Sequence, residues 1–315
     1  MSRSKKAVII AMVMIGIGIV TSITALAVNN FRWPNVRIDL KNMKTGSIEY
    51  VKKTKNIDEA FKSVDVQGAP DMDVEIKKSD SGKSYVEYYE CDGLTDHIEV
   101  VGDVLKITAD DDRHIFVDFT FGMDMSKWPR ITVYLADTQY DDIQVKTSSG
   151  DVSMQYYLGV QNLDIETSSG DVDVNGVNAD SIYVMTSSGD MSFDSVSAKN
   201  IEIRASSGDI KASSVVAEEN TKFVTSSGDM TVDGITAGNI SCSAASGDIV
   251  LGKSDAEQYD ISAKSGDVRI EVPADKKYKY VTSTSSGDVD VPDSTDGADL
   301  VCSVRTSSGD IDVTQ

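Results

Sequence analysis

The sequence predicts an all-β protein. It reads as a single-chain parallel β-solenoid (β-helix) of about nine coils of 19–22 residues, preceded by an N-terminal transmembrane helix. Three observations carry this. A five-residue phrase, TSSGD or a close variant, returns nine times; apolar and polar residues alternate on both sides of it; and residues 7–27 hold no charge.

The first element is the uncharged run. Arg3, Lys5 and Lys6 precede Ala7 to Ala27, 21 residues that are long enough to span a bilayer as a helix. The positive flank should stay in the cytoplasm and place the rest of the chain outside. The alternative is a signal peptide cleaved near Ala27, because Ala25-Leu26-Ala27 fits a small-residue cleavage site, and the product would then be secreted. The run exceeds the usual apolar core of a signal peptide, roughly 7–15 residues, so residues 1–28 are read as a retained anchor. Residues 29–59 are mixed and polar, with Trp33-Pro34 near the start, and read as a stalk or linker.

Residues 60–140 turn to β pattern. SVDVQ, MDVEI, SYVEYYE, VLKIT and ITVYL alternate well enough to be strands. Their uneven spacing, and the acidic run Asp110-Asp111-Asp112, mark an irregular β section that caps the solenoid. A cap is needed because an open solenoid end exposes unpaired backbone.

Residues 141–315 form the repeat. The corner glycines are Gly150, Gly170, Gly189, Gly208, Gly228, Gly247, Gly266, Gly287 and Gly309, at intervals of 20, 19, 19, 20, 19, 19, 21 and 22. Two and four residues after each sit apolar pairs such as Val152/Met154, Met191/Phe193 and Ile249/Leu251; five and seven before it sit pairs such as Ile143/Val145 and Ile201/Ile203. This is the period of strands with one buried face. A unit of about 20 residues cannot bury its apolar face alone, whereas stacked units can. Neighbours about 4.8 Å apart would make nine coils a rod of roughly 40 Å. A β-propeller fits poorly, since its blades need about 40 residues. The chain ends at Gln315 just after a repeat strand, so the last edge is expected either to pair with a partner or to rely on Asp310 and Asp312 for protection.

Each corner has its own chemistry. Glycine tolerates positive φ, and Ser and Asp side chains bond backbone groups that a turn leaves open. Stacking should also align the serines for hydrogen bonds along the column. Asp151, Asp171, Asp190, Asp209, Asp229, Asp248, Asp267, Asp288 and Asp310 should form a column of like charges. Its repulsion must be offset by hydrogen bonds, splayed rotamers or cations. A structural turn is the primary reading. Weak, diffuse Ca²⁺ binding is the alternative, although the nonapeptide calcium repeat is absent. No cofactor is implied.

The bulk numbers narrow the function. There are 51 acidic and 30 basic residues, a net charge of −21, and −24 once residues 1–27 are set aside. Such charge argues against a nucleic-acid partner. Cys91, Cys242 and Cys302 suggest no disulfide framework, and Cys242 and Cys302 fall on inward positions as small core residues. Only His97 and His114 are present, neither in the repeats, so catalytic triads and zinc sites find little material. Glycosidic cleavage needs two carboxylates in a cleft, and coils so even in length carry no loop insertions to build one. Arg204, Arg269 and Arg305 fall on separate coils. The reading is therefore not an enzyme; a polysaccharide-cleaving β-helix remains the remote alternative. Tyr156, Tyr157 and Tyr183 suggest an aromatic patch for a sugar or peptide. Counting seven from Gly150 aligns Tyr157 with the inward Val177, Val196, Val215 and Ile235, which leaves Tyr156 and Tyr183 to face out.

The anchor, the alternating β section and the serial SSGDV coils together resemble a bacterial DUF-type family of "putative adhesins", β-solenoid proteins of the cell envelope. The resemblance covers roughly Phe61 to the C-terminus. It is most specific over PRITVYLADTQYDDIQVKTSSGDV, Pro129 to Val152. It implies a bacterial cell-envelope β-helix protein without known catalysis; with the span Ala7 to Ala27, the expected place is the cytoplasmic membrane, crossed once, with the C-terminal part outside. The resemblance supplies no binding residues. The expected role is a surface binding or scaffold protein with an unknown protein or glycan ligand. The alternative is an envelope-stress sensor that meets cationic peptides and signals through a membrane partner, because about six cytoplasmic residues are too few to signal alone.

Overall fold

The computed structural model describes residues 50–68, 71–111 and 130–315, together with the backbone of three further strands between residues 36 and 119. The predicted span Ala7 to Ala27 and His114 lie outside the described residues. No helix among the described residues is long and apolar enough to cross a membrane.

The strands, in chain order, are β1 (Val36–Asp39), β2 (Lys44–Thr45), β3 (Val51–Asn56), β4 (Ser63–Gln67), β5 (Asp73–Lys78), β6 (Tyr85–Glu90), β7 (Leu94–Val101) and β8 (Val104–Asp111). There follow β9 (Phe116–Phe119), β10 (Arg130–Leu135), β11 (Gln139–Lys146), β12 (Val152–Thr167), β13 (Val172–Thr186), β14 (Met191–Ser207) and β15 (Ile210–Ser227). The last are β16 (Met230–Ser246), β17 (Ile249–Ser265), β18 (Val268–Glu271), β19 (Tyr278–Ser283), β20 (Val289–Asp290), β21 (Leu300–Ser308) and β22 (Ile311–Thr314). The chain forms two compact units: Met1–Glu49 with Cys91–Gly93 and Asp112–Trp128, and all the rest. In the first, β1 pairs antiparallel with β2 and with β9. The second holds the solenoid.

Six long strands, β12 to β17, each take up almost a whole coil and pair in parallel with the same position one coil on. Alternation explains why they stack, and its interruptions explain how they bend. In β13 the buried side chains fall into three groups: Val172 and Val174, Val177 and Ala179, then Ile182, Val184 and Thr186. The period of two breaks between groups, so each coil has three faces and three corners. At the second corner one residue adopts left-handed backbone: Gly176 (φ 78°), Ser195 (55°), Ser214 (54°), Gly234 (74°) and Lys253 (47°). At the third corner an asparagine ladder forms, with Asn239 Nδ2 donating to Asn220 Oδ1 and Asn220 Nδ2 to Asn200 Oδ1, both at 2.9 Å. The interior is mainly apolar, from Val64 to Val313, with a few buried threonines among the aliphatic residues.

The coils do not stack in chain order at either end. Before the corner the ladder runs β8, β4, β11, β12, and after it β10, β5, β12. The first coil of the unit, β4 with β5, is thus interior, and β8 with β10 lies outside it. Antiparallel strands then close this end: β7 on β8, and β6 on β10 with β3 on β6. Segment 63–78 carries an unrecognised corner, in which Met72-Asp73 takes the place of Gly-Asp. Val74 N–H donates to Asp151 O at 2.8 Å, as Val152 N–H does to Asp171 O at 2.9 Å.

The far end repeats the device. β21 pairs with β17 on one side and β19 on the other; β22 lies between β18 and β20. The last coil is therefore interior and the penultimate one outermost. This corrects the expectation that residues near Asp310 and Asp312 form the terminal edge. The side chains explain the order. The last coil turns Cys302, Val304, Ile311 and Val313 inward, all at most 3% exposed. The equivalent positions of the outer coil are Tyr280, Thr282, Val289 and Val291, larger or more polar at the first two, and Val289 is 43% exposed. Part of that outer edge is covered by the chain itself: Ser294 Oγ accepts from Tyr280 N–H at 2.9 Å, and Thr295 N–H donates to Tyr278 O at 3.1 Å.

Candidate functional site

The nine corner aspartates do form a column, joined by Asp73 and ordered as the coils are stacked. Every Oδ1 of the column except that of Asp288, the last in the stack, accepts the backbone N–H of the aspartate in the next coil. Asp171 N–H reaches Asp151 at 2.9 Å, Asp190 reaches Asp171 at 2.8 Å, Asp209 reaches Asp190 at 2.8 Å, and Asp229 reaches Asp209 at 2.9 Å. Asp248 and Asp267 continue the chain at 2.9 and 2.8 Å. Asp310 N–H then donates to Asp267 at 3.0 Å, and Asp288 N–H to Asp310 at 2.8 Å. At the other end Asp151 N–H donates to Asp73 Oδ1 at 3.0 Å. Hydrogen bonding from the backbone favours a charged acceptor and offsets the repulsion that stacking imposes. Burial pushes the Asp73 carboxyl above its usual range despite the Asp151 amide.

One oxygen of each of these aspartates but Asp288 is thus committed to the fold. Among the described residues no three His, Cys, Asp or Glu side chains converge as a metal site. The serines behave otherwise than expected: those of the corners lie at the surface, and the ladder runs through aspartate and threonine instead. Thr186, Thr225 and Thr306 are buried, and each hydroxyl donates to a corner glycine carbonyl, Gly170, Gly208 and Gly266 respectively, at 3.3–3.4 Å.

The glycines are fixed by their neighbours. A Cβ on Gly170, Gly189, Gly208, Gly228, Gly247, Gly266, Gly287 or Gly309 would sit 1.9–2.1 Å from the carbonyl oxygen of the glycine stacked against it, and one on Gly150 would sit 1.8 Å from Met72 O. Close backbone stacking, more than turn conformation, is what demands glycine here.

The remaining candidates lie apart. Arg204 bonds Glu202 (Nε to Oε1, 2.8 Å), Arg269 bonds Asp267 at 3.0 Å, and Arg305 reaches Asp260 at 3.5 Å, each on its own stretch of surface. His97 Nε2 lies 2.8 Å from Asp110 Oδ2 on the hairpin of β7 and β8. Cys242 and Cys302 are both fully buried. Burial pushes both thiols up, Cys302 to about 12, so neither is a nucleophile at neutral pH.

The tyrosines correct the sequence alignment. β12 and β13 keep register up to Gln155, slip, and resume with Leu158 opposite Val177. The extra residue of this 20-residue coil is a bulge at the second corner. Leu158, not Tyr157, takes the inward position, and Tyr157 is 76% exposed. Tyr156, expected to face out, packs against the core, where burial pushes its phenol up. Tyr183 lies on another face, with its hydroxyl 3.4 Å from Met185 Sδ. Beside Tyr157 is an open cleft of about 480 Å³ lined also by Thr138, Gln139, Gly159 and Asn178. Sequence reasoning missed it because a fixed offset from the glycine cannot locate a bulge.

Residues 61–314, which hold the whole repeat, match the family model described as Toastrack DUF4097. The chain belongs to the DUF4097 family. Among solved structures it is similar to one named "putative adhesin" from Parabacteroides distasonis, at 16% identity and TM-score 0.53, covering 84% of this chain and 97% of that one. It is also similar to one named "putative lipid binding protein" from the same organism, at 17% identity and TM-score 0.51 with the same coverage. These likenesses are of fold. No curated protein matches the chain. The DUF4097 corner is thus, in this chain, an Asp–Gly–Thr device for stacking coils.

Proposed function

We propose that this DUF4097 protein is a non-enzymatic solenoid that presents its outer surface for binding or scaffolding at a bacterial cell envelope. Ala7 to Ala27 holds it in the membrane, and the solenoid lies outside. The observation that carries the reading is the use of the repeat. Glycine, threonine and one oxygen of every column aspartate but Asp288 are spent on neighbouring coils, so the motif that recurs most serves construction. What is left for function is the surface the coils display. The "putative adhesin" named above shares the fold and favours the same role.

A second reading follows from the other oxygen of each aspartate. Asp151, Asp171, Asp190, Asp229, Asp288 and Asp310 are exposed, one per coil, on a chain of net charge −21. A row of carboxylates attracts cationic peptides and suits a sensor of envelope stress that passes its signal to a membrane partner. Crosslinking of the tagged full-length protein in living cells separates the two. Capture of wall material, glycan or copies of itself supports the scaffold. Capture of membrane signalling proteins, with peptide binding that weakens steeply as salt rises, supports the sensor instead. Turnover of any glycan by the purified protein would overturn both.

A further inference from the structure

We propose that the second corner of the coil bearing Tyr157 is a subsite for a neutral saccharide. The inference rests on the binding reading and names a ligand class for it. The coil from Asp151 to Gly170 holds one residue more than its neighbour, and the surplus appears as the slip between Gln155 and Leu158. A bulge commonly re-aims a side chain. Here it turns Tyr157 outward to 76% exposure, the highest of any large hydrophobic among the described residues, while Tyr156 stays against the core. An aromatic ring held out on a rigid solenoid is a platform without an internal partner.

The surroundings supply what a ring alone lacks. The adjoining cleft is about 480 Å³, within the range of small-molecule sites, roughly 300–1,000 Å³. Its floor is made by glycine: a Cβ on Gly159 would lie 2.2 Å from Gln139 Nε2, so the Gln139 amide lies directly over the backbone. Gly159 N–H donates to Thr138 O at 2.8 Å, fixing that floor to the preceding loop. Asn178 is steadied by its Nδ2, which donates to Ser197 Oγ at 2.9 Å. The lining is one phenol ring, two carboxamides, one hydroxyl and a glycine, with no charged side chain. Carboxamides both donate and accept, which suits neighbouring sugar hydroxyls, and a phenol ring offers an apolar face with a polar edge to the flat C–H face of a pyranose. Charge selects among sugars. A chain at −21 disfavours anionic saccharides, and a cationic peptide would be drawn to the aspartate row rather than to a neutral cleft.

The test uses the purified full-length protein. Cellotetraose, tetra-N-acetylchitotetraose and a neutral fucosylated oligosaccharide are titrated by calorimetry up to about 5 mM, the weak end of the affinity scale. At least one is expected to bind. Tyr157→Ala should then weaken it by at least about tenfold, and Tyr157→Phe by less than about threefold. Gln139→Ala should weaken it as well. Melting temperatures should stay level for both Tyr157 variants, since the ring is exposed. Saccharide binding that Tyr157→Ala leaves intact would overturn the site and keep the binding reading. No binding of any of the three, with surface or wall crosslinks still formed in cells, would overturn the saccharide and keep the scaffold. Loss of both would sink the binding reading itself.

Discussion

At Gly228 an added Cβ would sit 2.1 Å from the carbonyl oxygen of Gly208, and the backbone φ is 155°. Neither atom is the end of a flexible side chain, so the coils would have to part. Gly228→Ala should cost about 1–3 kcal/mol or more, the range for overpacking. Gly102→Ala, with nothing within 4 Å of its Cβ and only its φ of 63° to strain, should cost about 1–2 kcal/mol. Urea denaturation of the two variants checks the order. The aspartate beside Gly228 is tested by chemistry rather than size. Asp229→Asn keeps an oxygen for the Asp248 amide and removes a charge, whereas Asp229→Ala leaves that amide without its acceptor. The alanine variant should lose about 1 kcal/mol more than the asparagine variant; equal losses would mean that the ladder bond contributes nothing. The buried thiols set a pH dependence. A thiol ionises near 8.5 in an unfolded chain, while burial raises Cys302 to about 12 and raises Cys242 as well. Unfolding above the lower value releases protons, so their contribution is full below pH about 8.5 and is lost as pH rises toward the folded values. Thermal unfolding followed upward from pH 7 should decline from about pH 9, and Cys242→Ala with Cys302→Ala should flatten that first decline before the tyrosines join it.

At the scale of the coil, the bulge is the informative departure. Its neighbours turn the same corner with two residues, Asn175-Gly176, Asp194-Ser195 or Asp233-Gly234, the second in left-handed conformation. Replacing Gln155-Tyr156-Tyr157 by Asn-Gly should therefore give a 19-residue coil that folds, with a melting temperature within a few degrees of the parent. Deleting Ser153 should unfold the coil, because a one-residue slip within a face exchanges inside and outside. Equal tolerance of both deletions would refute the three-faced coil. The same contrast explains what could be read in advance. Alternation around nine glycines was enough to foretell stacked parallel coils and the inward Cys242 and Cys302. It could not place Tyr157, because a fixed count from Gly150 assumes that every coil spends its residues alike. Nor could it find the corner at Met72-Asp73, which has neither the glycine nor the serines; only the stacking of Gly150 on Met72 O reveals it. The cleft beside Tyr157 stayed hidden for the same reason, since it depends on Gln139 folding across Gly159, a contact between coils with no sequence period.

Across the whole second unit, the order of coils is the property no single coil contains. β4 with β5, and β21 with β22, come from the two ends of the repeat in sequence, yet each lies between two other coils. Burial decides this. An interior coil needs apolar residues at most of its inward positions, which Cys302, Val304, Ile311 and Val313 supply. An outermost coil tolerates Tyr280 and Thr282, with Tyr278 turned under to bond Ala256 O at 2.7 Å. Removing Leu300–Gln315 should therefore do more than shorten the solenoid. Fully burying such a side chain is worth about 1.5–3 kcal/mol, so several kcal/mol go with β21 and β22, and β19 and β20 lose the strands they pair with. The outer coil cannot simply close the gap, because Tyr280 would have to enter the space of Cys302, and Thr282 would bring a hydroxyl to the place of Val304. A chain ending at Asp299 should thus have residues 273–299 cut by protease while β12 to β17 stay protected. Its stability should equal that of a chain ending at Val272. If residues 273–299 instead stay protected and the stability approaches that of the full chain, β19 has docked onto β17, and the exchanged order would be a preference of the last coil rather than a requirement of the outer one.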